Sequence, residues 1–269
     1  MRFPYKTVVV TGASTGLGAE MARQLVRAGC KVGLVSRNAE KLRALAEQLG
    51  QAAFAAPADV DDWRQTREAV ASIREALGAI DCMIANAGIG VPPGGGPWDP
   101  IAPERTMRTN FLGMVHALYA AAPAMVEKRR GHLVGVASLA SYQGVPHDGG
   151  YSASKAAQRV FLEGLRVQLH GTGVRVTCIC PGFVRTQMTD KNEFDMPGLL
   201  EPTEAARRML GAIARGLKVY NFPRRMAALT WLGQKSPRFV YDRALKKFSG
   251  RKGRRQHLSD GRRPDEAAT

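Results

Sequence analysis

Apolar and β-branched residues gather in short runs near positions 7–10, 31–35, 52–56, 81–84, 132–136, 174–180 and 217–220, and most of the gaps between them carry apolar residues at helical spacing. Short apolar runs bounded by glycine or polar residues read as buried strands, and the longer amphipathic stretches read as helices. Strands alternating with helices imply βαβ units, whose right-handed crossovers build a parallel sheet covered on both faces. The expected fold class is therefore α/β, a single doubly wound parallel sheet of Rossmann type. The stretch VPPGGGP, Val91 to Pro97, reads as a loop by composition, and no internal repeat is visible.

The first strand, Thr7 to Val10, runs directly into TGASTGLG, Thr11 to Gly18, and then into the helical pattern AEMARQLVRAG. A strand, a glycine-rich turn and a helix N-terminus in that order make an anion site, because unpaired backbone N–H groups and the helix dipole point at the same place. Gly12 would allow the tight turn, Gly16 the close approach of a pyrophosphate and Gly18 the packing of helix on strand, with Ser14, Thr15 and Leu17 filling the turn between them.

The stretch YSASK places Tyr151 and Lys155 four residues apart, with Ser138 upstream. Residues at i and i+4 share a helix face, so the ammonium can sit beside the phenol and favour its ionised form. A phenol titrates near pH ~10 when unperturbed, and a neighbouring cation moves it toward the range useful for proton exchange. The Ser138 hydroxyl can then hold a substrate oxygen.

These residues together resemble the classical short-chain dehydrogenases/reductases. TGASTGLG is similar to that family's TGxxxGxG turn, Asn86-Ala87-Gly88 to its NAG motif, and Asn110, Ser138, Tyr151 and Lys155 to its catalytic residues. Asp59-Val60 and Pro181-Gly182 fall where the family has such pairs, with Val184 and Thr186 following as further cofactor contacts; the resemblance runs by motif from about Lys6 to Gly182. It implies strand order 3-2-1-4-5-6-7 and an enzyme that moves hydride between a nicotinamide cofactor and a carbonyl or alcohol. Tyr151 would protonate the carbonyl oxygen, Ser138 would hydrogen-bond it, Lys155 would also hold the nicotinamide ribose, and Asn110 would support Lys155 through a water. A non-catalytic NADP(H)-binding protein whose basic tail binds a membrane or an acidic partner stands as the alternative, although such a role would not need all four side chains.

Cofactor choice turns on the end of the second strand. An acidic residue there binds the ribose hydroxyls of NAD and repels a 2′-phosphate, whereas an arginine accommodates it. This chain has Ser36 and Arg37. A guanidinium pairs with phosphate through parallel hydrogen bonds, so NADP(H) is the preferred cofactor, with NAD(H) admitted.

Composition, at 269 residues with 45% hydrophobic and 23% charged, suits one α/β domain, residues 1–220, followed by a C-terminal extension, residues 221–269. No apolar stretch reaches the ~18 residues of a membrane span, and no signal-type segment opens the chain, so the expected location is cytoplasmic. Cys30, Cys82, Cys178 and Cys180 form no metal or redox spacing and read as small buried residues, and the five histidines, with His147 before the YSASK helix, form no metal set. The substrate wall is expected from Val91 to Asp99, Leu139 to Asp148 and Phe183 to Met196, whose Val145, Pro146, Phe183, Met188, Phe194 and Met196 favour a hydrophobic carbonyl or alcohol over a charged one.

Charge changes the picture at the C-terminus. The net charge is +16, and Asn221 to Thr269 alone carries +9, from 13 Lys and Arg against 4 Asp and Glu. Its first part interleaves Trp231, Phe239 and Phe248 with arginines and lysines; its end, SGRKGRRQHLSDGRRPDEAAT, is polar enough to expect disorder. Two readings stay open for the first part, peripheral docking on an anionic membrane or a helix packed on the core with a solvated basic face. Nucleic acid is not an expected partner, since positive charge without a reading motif supplies only salt-sensitive, non-specific affinity. The glycine-rich C-terminus through which many tetrameric members of the family pack is missing after Tyr220, which points to a homo-oligomer that is a dimer rather than a tetramer.

Overall fold

The computed structural model describes residues 3–90, 99–145, 149–189 and 196–249, with side chains through residue 243. Seven strands form one sheet: β1 (Thr7–Thr11), β2 (Lys31–Ser36), β3 (Ala53–Pro57), β4 (Cys82–Ala85), β5 (Gly131–Val136), β6 (Val174–Pro181) and β7 (Val219–Phe222). All neighbours run parallel, in the order β3-β2-β1-β4-β5-β6-β7. This is the order that the resemblance implied. The last strand runs to Phe222, two residues into the stretch 221–269 expected to be a C-terminal extension.

The strands read as apolar runs because helices cover both faces. Val8, Val10, Ile84 and Val134 point toward α1 (Gly16–Arg27), α2 (Ala39–Leu49) and α7 (Pro202–Ala214), into one half of the core. Val9, Met83 and Leu133 point the other way, onto α3 (Trp63–Leu77), α5 (Gly113–Glu127) and α6 (Gly149–Gln168). The period of two along each strand thus splits the core into two layers. Side-chain caps start two helices: the Asn38 carboxamide oxygen accepts from Lys41 N–H at 2.8 Å, and Asp62 accepts from Gln65 N–H at 3.0 Å.

The N-terminal ends of the strands are tied by polar groups. Asp81 accepts from the N–H groups of Lys6 and Thr7, at 2.9 and 3.1 Å, and pairs with Arg130 at 2.9 Å. His132 is fully buried between the Tyr5 hydroxyl at 2.8 Å and the Thr177 hydroxyl at 2.7 Å. Burial pushes its pKa down to about 4, so the ring stays neutral at ordinary pH. The four cysteines are buried free thiols, and Cys178 and Cys180 face the same side with their sulfurs 3.7 Å apart.

Two further helices follow the sheet, α8 (Arg224–Lys235) and α9 (Arg238–Ser249). Met226 and Ala227 of α8 pack on the core, and a Cβ on Gly233 would stand 2.8 Å from the Gln143 side-chain oxygen, so that face of the helix lies directly on the domain. Among the described residues, no helix is long and apolar enough to cross a membrane.

Candidate active site

The order of the strands reverses between β1 and β4, and the carboxyl ends of both strands open there into the glycine turn and the NAG turn. Crevices at such switch points are where open α/β sheets bind ligands. Thr11 closes the floor: its hydroxyl accepts from the N–H groups of Asn86 and Ala87, both at 3.0 Å, and its carbonyl accepts from the Asn86 carboxamide at 3.0 Å. Gly12, at φ +67°, leaves no room for a side chain, since a Cβ would come within 2.8 Å of Ala87 Cα. A Cβ on Gly18 would strike the Gly12 carbonyl, so the helix sits directly on the turn as expected for close packing. Gly16 faces only the Thr186 methyl, at 3.4 Å from an added Cβ, which brings the 183–189 loop over the turn. Helix α1 begins here with no acidic residue in its first turn and no side-chain cap from Thr15, leaving its amides to an anion. A dinucleotide diphosphate fits this cradle by space and by donor set.

At the end of β2, the Ser36 hydroxyl bonds the Ser14 hydroxyl at 2.8 Å, tying the two turns together. Arg37 leans toward Asp59, with 3.8 Å between guanidinium and carboxylate, and both groups remain solvent-accessible. Val60 is held from behind, because His116 Nδ1 bonds its carbonyl at 2.8 Å and a Cβ on Gly113 would press its side chain at 2.7 Å.

Helix α6 carries Tyr151 and Lys155. Lys155 is 4% exposed, its Nζ donates to the Val136 carbonyl at 2.9 Å, and it lies 5.6 Å from the centre of the Tyr151 ring. Burial pulls the ammonium down to about 8, below its ordinary 10.5, yet it still carries its charge at neutral pH. Ser138 opens the turn after β5; its hydroxyl accepts from Ala140 N–H at 3.1 Å and lies 3.4 Å from the Pro181 carbonyl, so β5 and β6 jointly place it.

Asn110 sits in a π-helical turn, Arg108–Leu112, between α4 (Ile101–Met107) and α5. Such turns interrupt helices where a side chain must be re-aimed. Its carboxamide clasps the Ile89 backbone, accepting from N–H at 2.7 Å and donating to the carbonyl at 3.0 Å, and donates also to Ser154 at 3.0 Å. Its own carbonyl accepts from Gln158 at 2.6 Å. A Cβ on Gly88 would lie 3.1 Å from the Asn110 oxygen and 3.5 Å from Lys155 Nζ, so Asn110, Lys155 and the NAG turn converge on one point.

Thr11, the first residue of the TGASTGLG turn, and Ser154, Gln158 and His116 hold this arrangement, although the sequence alone assigned none of them a part in the site. Ser154 and Gln158 could have been given one: they are polar residues at helical spacing on the same buried face as Lys155, where an unpaired polar group is costly. The expected substrate wall is described only in part. Residues 91–98, 146–148 and 190–195, with Pro146, His147 and Phe194, lie outside the described residues. In the rest, Met188 approaches Gly90, at 3.3 Å from an added Cβ, and Val145 N–H donates to Ser152 at 3.2 Å. Among the described residues no cluster of three or more His, Cys, Asp or Glu could hold a metal.

A fold of this strand order with a glycine turn and a Ser–Tyr–Lys set at its switch point is that of a dinucleotide-dependent oxidoreductase. The family model for short chain dehydrogenases matches residues 6–196, and the chain belongs to that family. An uncharacterized oxidoreductase of Myxococcus xanthus is 40% identical over 249 residues, 91% of this chain and 98% of its own. Serine 3-dehydrogenase of Rhizobium radiobacter is 36% identical over 186 residues, 68% of this chain and 74% of its own. Among solved structures, a short chain dehydrogenase from Burkholderia cenocepacia in complex with NADP superposes with a TM-score of 0.78 at 27% identity, covering 91% of this chain and 99% of that one. A relative from Burkholderia phymatum in complex with NAD gives 0.79 at 25% identity, covering 87% and 95%. The protein is an NAD(P)-dependent oxidoreductase.

Proposed function

We propose that this enzyme interconverts a hydrophobic ketone or aldehyde with its alcohol, prefers NADP(H), and uses Tyr151 as the general acid and base. The observation that carries the reading is the buried Lys155 ammonium, 5.6 Å from the Tyr151 ring centre on one helix face. The nicotinamide supplies the hydride in reduction and accepts it in oxidation.

In reduction, negative charge grows on the carbonyl oxygen, and that oxygen must be bound and protonated. Ser138 holds it by a hydrogen bond, and Tyr151 gives it the phenolic proton, leaving a phenolate that Lys155 stabilises. In oxidation Tyr151 takes the proton back. The Val136 carbonyl fixes Lys155, and Asn110, gripping Ile89 and gripped by Ser154 and Gln158, keeps the NAG turn from moving against it. Preference for NADP(H) rests on Arg37 and on the lack of a carboxylate at the end of β2; the NADP-bound relative is consistent with it, and the NAD-bound one marks NAD(H) as usable. The assembly that fits is a homodimer, because Leu112, at the end of the π-helical turn, and Tyr119 of α5 are exposed apolar residues, as are Val160 and Val167 of α6.

A screen with NADPH oxidation as readout over aldehydes and ketones of increasing chain length, and with NADP+ reduction as readout over serine and 3-hydroxy acids in the reverse direction, tests the substrate class. Turnover should rise with apolar length. A preference for serine would overturn the hydrophobic assignment and leave the Tyr151 mechanism standing.

A further inference from the structure

We propose that α8 and α9 form a docking face for an anionic lipid bilayer, and that this face holds the loop after Ser138 beside the membrane. Helix α8 spends one side on the domain, through Met226, Ala227 and Gly233. Its other side and the start of α9 leave large apolar side chains in solvent: Leu229 is 62% exposed, Trp231 58%, Leu232 53%, Phe239 74% and Val240 45%. Singly exposed apolar residues are ordinary, but five within two consecutive helices make a patch of the kind that marks an interaction surface.

The charges around the patch decide what it meets. Arg224, Arg225, Lys235, Arg238 and Arg243 are exposed on the same two helices, against Asp242 as the acidic residue in that span. A second copy of a chain carrying +16 would bring these cations against one another, whereas an anionic bilayer offers both an opposite charge and an apolar interior. Interfacial segments bind by this combination, with aromatic and aliphatic side chains entering the headgroup region between Lys and Arg.

The face is wired to the site. Gln234 donates to the Tyr142 carbonyl at 3.0 Å, the Tyr241 hydroxyl donates to the Gly144 carbonyl at 2.7 Å, and the Tyr142 hydroxyl and Asn221 are bonded at 3.0 Å. Tyr142 and Gly144 belong to the segment between Ser138 and α6. A docked α8–α9 pair therefore holds Tyr142 and Gly144, which follow closely on Ser138, beside the lipid surface, which suits a substrate that partitions into lipid.

The docking itself is measured without substrate, so its failure is separable from failure of the catalytic reading. Full-length protein is sedimented with vesicles of phosphatidylcholine alone or mixed with phosphatidylglycerol. Binding is expected to the mixed vesicles, weakening with salt as the charges are screened. Trp231→Glu with Phe239→Glu should abolish it while melting temperature and turnover of a water-soluble aldehyde stay at the parent values. Arg225→Gln with Arg238→Gln should weaken it by about 25-fold, about fivefold for each cation near the surface. Failure of the parent to sediment at low salt overturns the proposal, as does equal binding by the Trp231/Phe239 variant, which would assign the attraction to the basic chain end. A parent dimer that the same variant converts to monomer also overturns it, in favour of a second copy on this face.

Discussion

Replacing Lys155 by methionine should stabilise the cofactor-free protein while ending its activity. The buried ammonium titrates at about 8 against an ordinary 10.5, which corresponds to roughly 3 kcal/mol of disfavour for the charged form inside the fold. The sign follows from proton counts: between about 8 and 10.5 the unfolded chain binds the proton that the folded chain has lost, so stability rises with pH across that window. Below about 8 both states are protonated and the whole cost is present. Methionine fills a similar volume without charge but gives up the bond to the Val136 carbonyl, worth on the order of 1–2 kcal/mol, leaving a net gain of about 1–2 kcal/mol. For a chain of this size that is roughly 2–8 °C in melting temperature. Thermal unfolding of parent and Lys155→Met, both stripped of cofactor, should show the variant higher by a constant amount below pH 8 and the gap shrinking toward pH 10.5. A variant that melts below the parent at pH 7, or a gap indifferent to alkaline pH, would show that Lys155 is not a strained buried cation.

Tyr151→Phe should cut turnover by ~10²- to 10⁴-fold with cofactor affinity almost unchanged, since the ring remains and only the proton donor is lost; a variant keeping more than a tenth of the parent rate would sink Tyr151 as the acid. NADPH should bind more tightly than NADH, and Arg37→Ala should erase most of that difference, a loss of roughly 10- to 100-fold read by fluorescence titration. Equal affinities in the parent would refute the reading of Ser36 and Arg37. His132, titrating at about 4 instead of 6.5, keeps its stabilising neutral form above pH 6.5; as pH falls toward 4 the unfolded chain takes up the proton first, and up to about 3 kcal/mol is lost. Urea unfolding should show His132→Gln losing less stability than the parent between pH 6.5 and 4.5, and identical slopes would remove His132 from the acid limb.

The layout of strands was legible because a parallel sheet covered on both faces leaves unbroken apolar runs, and the glycine turn because its geometry admits no side chain at Gly12 or Gly18. The apolar run near 217–220 predicts a last strand that begins at Leu217, but Leu217 N–H bonds back to the Ala212 carbonyl just after α7, so the strand starts later, at Val219. Asn110 was visible as a residue type without its geometry: nothing in TNFLG announces a π-turn, because that turn exists to bring the carboxamide onto Ile89, a contact across sequence. The same holds for Gln234 and Tyr241. Their partners, the carbonyls of Tyr142 and Gly144, are backbone atoms almost a hundred positions away, and backbone acceptors leave no trace in a sequence.

Burial lowers the proton affinity of both Lys155 and His132, and the surroundings decide what each can do with it. His132 has hydroxyls on both ring nitrogens, so its neutral form is fully satisfied and nothing is gained by charging it. That is a structural group at the amino end of the sheet, fixing Tyr5 against β5 and β6. Lys155 faces one carbonyl of β5 and one aromatic ring, so its charge is only partly compensated by the protein. An uncompensated buried cation is a stored electrostatic cost, and it falls when negative charge forms nearby. In the reaction proposed above a phenolate on Tyr151 would be such a charge, so the burial that weakens the fold at Lys155 would be offset at the carboxyl end of the sheet as the proton leaves.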